Sequence, residues 1–377
     1  MAASNASVVA RVQVQVFRAP IATPVVNAFG TMRDRPMALV AIEARDGATG
    51  FGEIWCNFPV VGAEHRARLL TSVIAPLLAG RTIVDPAAEQ ARLASAIASQ
   101  VLQTGEPGPF NACLAAIDQA LCDLAARRAG VPLWKFLGAT RNRVPVYTSG
   151  IGPEGAEPLA DQAWRNGFRA FKLKVGFGRE RDLANLSALR ASLPHGATLM
   201  ADANQAWSPD EAHAMASAFR DLALEWLEEP IAADQPATVW QALARAADPL
   251  PLAAGENLGS APLLDAAVAS AALRVLQPDI GKWGGPLQIL PIARRAVAAG
   301  MRFCPHWLGG GIGLVASMHL LAAAGGDGRV EWDANPNPLR EAFPLPDVVD
   351  GFVALGDAPG LGFVPDLHAL QRYRVPL

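Results

Sequence analysis

The 377-residue sequence lacks most of the signals that assign a chain to a specialised class. Its net charge of -3 gives no general attraction for nucleic acid or an anionic membrane. Its alanine-rich runs are interrupted by charged residues and fall short of a membrane span. The N-terminus has no basic segment followed by an apolar one, so we expect no signal peptide. These absences leave an ordinary globular chain, 51% hydrophobic, long enough for one large domain and a smaller one.

Two further absences narrow the chemistry. The four cysteines show neither CxxC spacing nor a disulfide pattern, so we interpret them as core thiols in a reducing cytoplasm. No predicted strand is followed by GxGxxG or GxxxxGK(S/T), so there is no dinucleotide or P-loop signal. The glycine run at 309–313 has the wrong spacing and is interpreted as backbone adapting to a helix start. We expect a cytoplasmic homo-oligomer without nucleic-acid or membrane partners.

The predicted pattern of strands and helices changes near residue 130. Alternating strands come first, joined by a polar loop over 22–36, and helical patterns follow, which indicates an α+β unit. Beyond it, eight short apolar strands alternate with amphipathic helices, which favours parallel strands in a doubly wound sheet or a (β/α) barrel. We predict a first domain over 1–130, a barrel over 131–355, and a C-terminal segment over 356–377 that packs back on the first domain.

One strand, "FRAFKLKVGFG", carries Lys172 and Lys174 on the same face, since side chains alternate along a strand. Taken alone, the pair is typical of an edge strand that turns its lysines to water. If both lysines instead point into a site, each lowers the pKa of the other, and one could act as a neutral base near pH 7.

Polar residues recur at the ends of the later strands, between 23 and 28 residues apart from Lys174 onward. This step matches one strand–loop–helix unit, so the residues should share one end of a barrel, the carboxyl end where barrel enzymes build their sites. The set comprises Lys172 and Lys174, Asp202 and Asn204, Glu228 and Glu229, Glu256 and Asn257, Asp279, His306, and Glu331 and Asp333.

Three of these acids, Asp202, Glu228 and Glu256, come from adjacent strands. A single strand-end acid commonly pairs with a helix N-terminus or an arginine, but three at matched phase would repel one another unless a cation lies among them. Ligands that are all oxygen favour Mg²⁺ before Mn²⁺ or Ca²⁺. The sequence therefore predicts a Mg²⁺ site.

Candidate bases flank the three acids. Lys172 and Lys174 lie on the second barrel strand, on one side, and His306 lies on the seventh, on the other. Asp279 on the sixth strand can hydrogen-bond the imidazole and raise its pKa. The alternative for His306 is a structural histidine beneath a loop, with its ring nitrogens hydrogen-bonded. The whole set suits proton abstraction from a carbon acid, whose developing enediolate needs strong electrostatic stabilisation.

The motifs "KLK" at 172–174, "DAN" at 202–204 and "EEP" at 228–230 occur in order with "GEN" at 255–257, "PDIGKWGG" at 278–285 and "PHW" at 305–307. On these motifs, the chain resembles the mandelate racemase subgroup of the enolase superfamily over nearly its whole length. The resemblance implies an α/β fold, a modified TIM barrel (β/α)7β with an N-terminal α+β capping domain.

The resemblance also implies a role for each matching residue. Asp202, Glu228 and Glu256 would bind Mg²⁺. Lys174 would be one acid/base and His306, with Asp279, the other. The remaining assignments are Lys172 polarising the substrate carboxylate, Glu331 donating a hydrogen bond to it, and Asn204 binding substrate.

Some positions separate subgroups or set specificity. Relatives that lactonise muconate or epimerise dipeptides carry a lysine where this chain has Asp279, so those activities are not expected here. Lys282, which lies nearby, is interpreted as a structural charge. The resemblance implies a capping loop over 19–36 that closes on the site. It would be helped by the turn after the third strand, and the alternative is a solvated surface loop. The candidate substrate contacts of the two segments are Arg33, Asp34, Arg35, Trp55 and Asn57.

The expected substrate is a small α-hydroxy carboxylate, and the expected reaction is dehydration of an acid sugar. Racemisation or epimerisation at the α-carbon begins with the same enediolate and is the alternative. A non-catalytic binding relative is a third possibility, but it would have no need for the complete set of ligands and bases.

Overall fold

The computed structural model describes residues 6–27 and 30–377. Its first layer is an antiparallel sheet of β1 (Ser7–Asn27), β2 (Gly30–Ala44) and β3 (Thr49–Ile54), with β4 (Thr82–Ile83) paired to β1. The expected loop over 22–36 is wrong for its described part, because β1 and β2 stay paired as far as Asn27 and Gly30. β-Branched residues such as Ile21 and Thr23 favour this extended backbone. Residues 28–29 of the predicted capping loop lie outside the described chain.

Helices cover one face of this sheet. They are α1 (Gly62–Leu69), a π-helical turn (Leu70–Ile74), α2 (Ala75–Leu78), α3 (Pro86–Thr104) and α4 (Pro107–Arg128). Helix α4 is buried along most of its length and crosses β3 so closely that a Cβ on Gly50 would lie 2.1 Å from the Ala120 carbonyl oxygen. Glycine is therefore required where this helix meets the sheet.

The second unit opens with α5 (Leu133–Phe136) and contains eight parallel strands. The strands are β5 (Arg143–Ile151), β6 (Ala170–Lys174), β7 (Thr198–Asp202), β8 (Leu227–Glu228), β9 (Leu252–Ala254), β10 (Val275–Leu276), β11 (Arg302–Phe303) and β12 (Val330–Asp333). In the sheet they lie in the order β11-β10-β9-β8-β7-β6-β5-β12. The backbone N–H of Glu331 donates to the Pro305 carbonyl at 3.4 Å, which brings the two ends of this order together.

A helix follows each of the first seven strands, as the (β/α)7β prediction requires. These helices are α6 (Ala156–Arg165), α7 (Arg179–Ser192), α8 (Pro209–Phe219), α9 (Ala237–Ala247), α10 (Ala261–Ser270), α11 (Gly285–Ala298) and α12 (Gly311–Ala324). The predicted fold class, a (β/α)7β barrel with an N-terminal α+β domain, is confirmed.

The C-terminal region returns to both units. It contains α13 (Pro338–Glu341), β13 (Phe352–Ala354), α14 (Leu367–Leu370) and β14 (Arg374–Val375). Strand β13 pairs with β5, and β14 pairs with β1, so the chain end contacts the first sheet. The exact domain boundaries stay a prediction. All four cysteines are free and buried, and none of the described helices is long and apolar enough to cross a bilayer.

The barrel interior shows how strand periodicity positions the polar residues. A buried cluster inside the barrel is formed by one residue within, or directly next to, each of seven strands: Tyr147, Ala170, Met200, Trp226, Ala253, Val275 and Cys304. Two residues further along a strand, the next side chain on the same face lies one layer nearer the carboxyl end. Six of the seven positions obtained in this way are polar, and the seventh is Gly255: Ser149, Lys172, Asp202, Glu228, Gln277 and His306. The polar layer therefore lies directly above an apolar floor.

Candidate active site

Lys172 lies fully buried on β6 among acids and one phenol. Its Nζ is 2.6 Å from Oε1 of Glu228 and 2.8 Å from Oε1 of Glu331. The same atom is 3.4 Å from Oδ2 of Asp202 and 3.5 Å from the Tyr147 hydroxyl. Burial disfavours the ammonium form, but the attraction of Glu228 and Glu331 outweighs it, so the pKa of Lys172 is raised well above its usual range. Lys172 therefore presents a fixed positive charge.

Lys174 ends β6, one layer nearer the barrel mouth than Lys172. Its Nζ lies 2.5 Å from Oδ2 of Asp202. Burial lowers the pKa of Lys174 and Asp202 raises it, while Lys172 lowers it further; the net direction is upward. In this arrangement the attraction of the nearby carboxylates outweighs the repulsion between the two lysines, so the pKa of neither is lowered. The neutral base expected from the pair stays a prediction.

The predicted metal ligands come from neighbouring strands, and all three are buried. Asp202 and Glu228 are register partners on β7 and β8, and Glu256 follows β9 by two residues. Glu228 accepts hydrogen bonds from Nε2 of Gln277 at 2.6 Å and from Nε1 of Trp226 at 3.2 Å. Burial, and then repulsion from Asp202, raises the pKa of Glu228 to about 7.

His306 is held between carboxylates. Its Nδ1 lies 2.6 Å from Oδ2 of Asp279, and its Nε2 lies 2.7 Å from Oε2 of Glu256. Burial disfavours the imidazolium, but Glu256 and Glu331 outweigh it and raise the pKa of His306 well above its usual range. Burial likewise opposes ionisation of Glu256, yet His306 holds its pKa well below the usual value. The contact expected between Asp279 and His306 is present, and the acid/base role of His306 stays a prediction.

The three carboxylates match a hard divalent cation in kind, since oxygen donors without sulfur or nitrogen suit Mg²⁺. Within the described ranges, however, no three His, Cys, Asp or Glu side chains are arranged around a single metal position. Each of the three instead lies 2.5–2.7 Å from a lysine or histidine nitrogen. These residues fit the cation by donor type and by their adjacent strands, and holding it requires the carboxylates to exchange those partners.

Glu331 on β12 completes the polar layer. Its Oε1 faces Lys172, and its Oε2 accepts from the backbone N–H of Trp307 at 3.4 Å. Burial raises the pKa of Glu331, but Lys172 and His306 outweigh burial and lower it. In this arrangement Glu331 is an acceptor, whereas the donor role implied by the family resemblance requires its protonated form.

Two more polar side chains reach the acids. Asn204 donates through its side-chain Nδ2 to Oδ2 of Asp202 at 3.3 Å and through its backbone N–H to Oδ1 at 2.9 Å. The backbone of Asn204 has a positive φ of 45°. The Nζ of Lys282 is 3.3 Å from Oε2 of Glu256 and 4.7 Å from the centre of the Trp55 ring. Lys282 therefore neutralises one predicted metal ligand beneath a residue of the first domain.

The predicted capping contacts divide into two kinds. Arg33 is exposed, whereas Arg35 is buried, ion-paired with Asp333 and bonded to the Pro336 carbonyl at 3.3 Å. Arg35 thus ties β2 to the end of β12, and its role toward substrate stays a prediction.

The second predicted segment follows β3 and contacts the barrel loops. Half-buried Trp55 donates its backbone N–H to the Gly281 carbonyl at 3.4 Å. Asn57 is buried and donates through Nδ2 to the Leu308 carbonyl at 2.6 Å. Both residues therefore lie beside the loops that follow β10 and β11.

Three residues of the site were given no role by the sequence reasoning. Gln277 and Trp226 both hold Glu228, and each lies two positions from a recognised acid, so strand alternation alone could have indicated them. Glu229 accepts from Nδ2 of Asn257 at 2.9 Å, and burial together with Glu256 raises its pKa to about 8. Its positive φ of 38° turns it away from the polar layer's strand register.

Comparison with known proteins now identifies the family. Residues 156–369 match the enolase C-terminal domain-like family, and residues 10–138 match the N-terminal domain of mandelate racemase and muconate lactonizing enzyme. The chain belongs to the enolase superfamily, in its mandelate racemase/muconate lactonizing enzyme group. Members of this superfamily are Mg²⁺-binding enzymes.

Three relatives illustrate the range of activities. A mandelate racemase/muconate lactonizing enzyme from Bordetella bronchiseptica is 49% identical, with a TM-score of 0.91 and coverage of 98% of this chain and 99% of that one. A D-galactarolactone cycloisomerase from Agrobacterium fabrum is 30% identical, over 94% of this chain and 95% of its own. A racemase from Streptomyces coelicolor with bound magnesium is 29% identical, with a TM-score of 0.87, covering 97% of this chain and 100% of that one.

Other relatives show the same spread. They include acid-sugar dehydratases and a racemase. Solved structures of further relatives contain magnesium together with L-glucarate or mandelic acid. The homologues therefore include lyases and isomerases, and structures of some of them bind small carboxylates.

Proposed function

We propose that this protein abstracts the α-proton of an α-hydroxy carboxylate and dehydrates an acid sugar to a 2-keto-3-deoxy acid. The observation that carries the proposal is the order of the strands. Lys174 on β6 and His306 after β11 lie at opposite ends of the row of acids, 2.5 Å from Asp202 and 2.7 Å from Glu256. A substrate bound to that row would have one proton carrier on each side.

The steps follow from these residues. A bound Mg²⁺ would supply positive charge to the substrate carboxylate oxygens as the enediolate develops. Lys172, with its charge fixed by burial among acids, would polarise the same carboxylate. One of Lys174 and His306, in its neutral form, takes the α-proton, and the other, protonated, gives its proton to the departing β-hydroxyl, which leaves as water. The resulting enol takes up a proton at the β-carbon and releases the proton of its α-hydroxyl group, which gives the 2-keto-3-deoxy acid.

For Lys174 or His306 to be neutral, that residue has to lose its present carboxylate partner. Asp202 and Glu256, which now raise the pKa values of these two residues, are proposed metal ligands. If they held a cation, their negative charge would be shared with it, and the pKa of the base beside each would fall. Asp279 keeps the imidazole oriented throughout.

Racemisation is the second candidate, and the same observation favours it. A racemase removes the proton on one face and returns it on the other, which needs two proton carriers on opposite sides. Every residue named for dehydration would serve here, and only the fate of the β-hydroxyl differs.

The deciding experiment incubates the Mg²⁺-loaded protein with a panel of acid sugars and simple α-hydroxy acids in D₂O. A 2-keto product from an acid sugar supports dehydration. Deuterium at the α-carbon or an epimeric product, without any 2-keto acid, supports racemisation instead. If no compound shows deuterium exchange or a product, both proposed reactions are overturned and a non-catalytic binding relative is left.

A further inference from the structure

Glu53 is a buried carboxylate of the first domain that reaches into the barrel. It lies on β3, is 1% exposed, and its Oε1 accepts from the backbone N–H of Gly310 at 2.5 Å. Its Oε2 accepts from the N–H of Gly313 at 3.1 Å. These amides begin helix α12, which follows the loop that carries His306.

The glycine run at 309–313 is shaped around this carboxylate. A Cβ on Gly309 would lie 2.9 Å from Oε1 of Glu53, and a Cβ on Gly310 would lie 2.7 Å from the same atom. At Gly313 it would lie 2.1 Å from the Trp307 ring. From the sequence, this run is interpreted only as backbone adapting to a helix start. In the structure, its missing side chains leave room for the side chains of Glu53 and Trp307.

Trp307 connects this contact to the imidazole. Its Nε1 donates to the Gly310 carbonyl at 2.8 Å, so Glu53 and Trp307 hold the same peptide segment from two sides. The Trp307 ring also packs against the loop that carries Asp279, because a Cβ on Gly281 would lie 2.6 Å from the ring. Trp307 is thus wedged between the loops bearing His306 and Asp279.

Gln119 of α4 adds a second connection. Its Oε1 accepts from the N–H of Glu53 at 3.2 Å, and its Nε2 donates to the Glu53 carbonyl at 3.1 Å. The same Nε2 donates to the carbonyl of Ile280, next to Asp279, at 3.2 Å. The first domain therefore contacts both loops of the imidazole–carboxylate pair through Glu53 and its neighbour.

We propose that Glu53 is a positioning residue, which orients His306 against Asp279 through the Gly310–Trp307 turn. It touches neither substrate nor metal in this scheme. The proposal rests on the proposed function only for the acid/base role of His306, and the orientation itself can be measured without turnover.

The test uses Glu53→Gln, which keeps the size of the side chain but turns an NH₂ group toward one backbone N–H. The first readout is the ¹H–¹⁵N NMR signal of His306 Nδ1–H in histidine-labelled protein, assigned by its loss in His306→Asn. We expect this signal to shift or broaden in Glu53→Gln. With a substrate that turns over, we expect kcat to fall by about 10-fold to 100-fold and KM to change less than about twofold.

Asp123→Asn is the matched control. Asp123 is another buried carboxylate of the first domain that accepts from two backbone N–H groups, those of Leu361 at 2.7 Å and Phe51 at 3.0 Å. It also pairs with Nε of Arg127 at 2.8 Å, and none of these partners lies in the loops that carry His306 and Asp279. Asp123→Asn should lower stability without moving the His306 signal. An unmoved signal in folded Glu53→Gln, or an equal shift in Asp123→Asn, would overturn the proposal.

If Glu53→Gln does not fold, Glu53→Asp carries the same test, because the shorter side chain keeps the carboxylate but draws it back from the backbone N–H groups of Gly310 and Gly313. It should move the His306 signal in the same way, and an unchanged signal would overturn the proposal. A protein without activity toward any α-hydroxy acid, but with a signal that depends on Glu53, would reject the proposed function and retain the positioning role.

Discussion

Buried carboxylates occur in two regions of this molecule, and their partners differ. At the contact between the first domain and the barrel, Glu53 and Asp118 accept hydrogen bonds from backbone N–H groups at 2.5–3.1 Å. At the barrel mouth, Glu228 and Glu256 face lysine or histidine nitrogens at 2.6–2.7 Å. Burial raises the pKa of Glu53 to about 7 and that of Asp118 to about 8. Burial acts on Glu256 too, but His306 reverses it.

The difference teaches that burial by itself does not mark a site of chemistry. A backbone amide at a helix start is fixed and cannot leave its acceptor without unfolding the turn. A lysine or histidine side chain can rotate away and let another cation take its place. Acids held by amides are therefore expected to join domains, and acids held by side-chain cations to exchange partners during function.

The largest expected effect separates the two kinds of acid by metal binding. Glu228→Gln should abolish detectable Mg²⁺ binding in titration calorimetry and abolish activity, because it removes a charged oxygen ligand. Asp118→Asn should bind Mg²⁺ as the unaltered protein does. Chelation of the unaltered protein should remove activity, and added Mg²⁺ should restore it. Equal Mg²⁺ affinity in the Glu228→Gln variant would erase the distinction.

The two proton carriers give the next effect. Lys174→Ala and His306→Asn should each lower kcat by about 10²-fold to 10⁴-fold, the usual contribution of a positioned acid or base. Circular dichroism should show both variants folded. A variant that still exchanges the α-proton in D₂O would assign abstraction to the remaining residue. Full turnover in both variants would contradict the two-carrier scheme.

A smaller effect concerns Gln277, which is not a proposed ligand but holds one. Gln277→Leu removes the 2.6 Å hydrogen bond to Glu228 and should weaken Mg²⁺ binding by about 10-fold to 100-fold, as is typical of outer-shell partners. Gln90→Leu is the matched control, because Gln90 is equally buried and donates to the Leu114 carbonyl in the first domain. A similar loss of Mg²⁺ affinity in both variants would show that the effect is not local.

The last effect concerns stability and not activity: a pH dependence at Asp118. Its pKa is raised by burial from 3.8 to about 8, so the folded protein holds a proton there that the unfolded chain releases. This contribution to stability is complete below about pH 4 and is lost as pH rises through about 8. Asp118→Asn removes the ionisation while keeping an acceptor for Leu287. The free energy of unfolding of the variant, relative to the unaltered protein, should therefore increase between pH 5 and pH 8 in urea melts. A flat difference would show that Asp118 is already ionised in the fold.

Much of the barrel site could be predicted because it depends on two local periods. Alternation along a strand puts Lys172 and Lys174 on one face, and the repeat of one strand–helix unit brings Asp202, Glu228 and Glu256 to the same end. Both periods are properties of the backbone, so they can be read before any contact is known. The oxygen-only chemistry of the three acids then indicates Mg²⁺.

Other features were decided only when distant segments met. The pKa values of Lys172 and Lys174 rise because acids from other strands surround them, and Arg35 is buried because Asp333, 298 residues away, lies opposite it. Glu53 finds its partners 257 and 260 residues along the chain. The sequence by itself thus determined which side chains line the barrel mouth, since backbone geometry repeats locally. Only the tertiary structure decided their charges and supports, because electrostatics and hydrogen bonding act over a few ångströms of space whatever the separation along the chain.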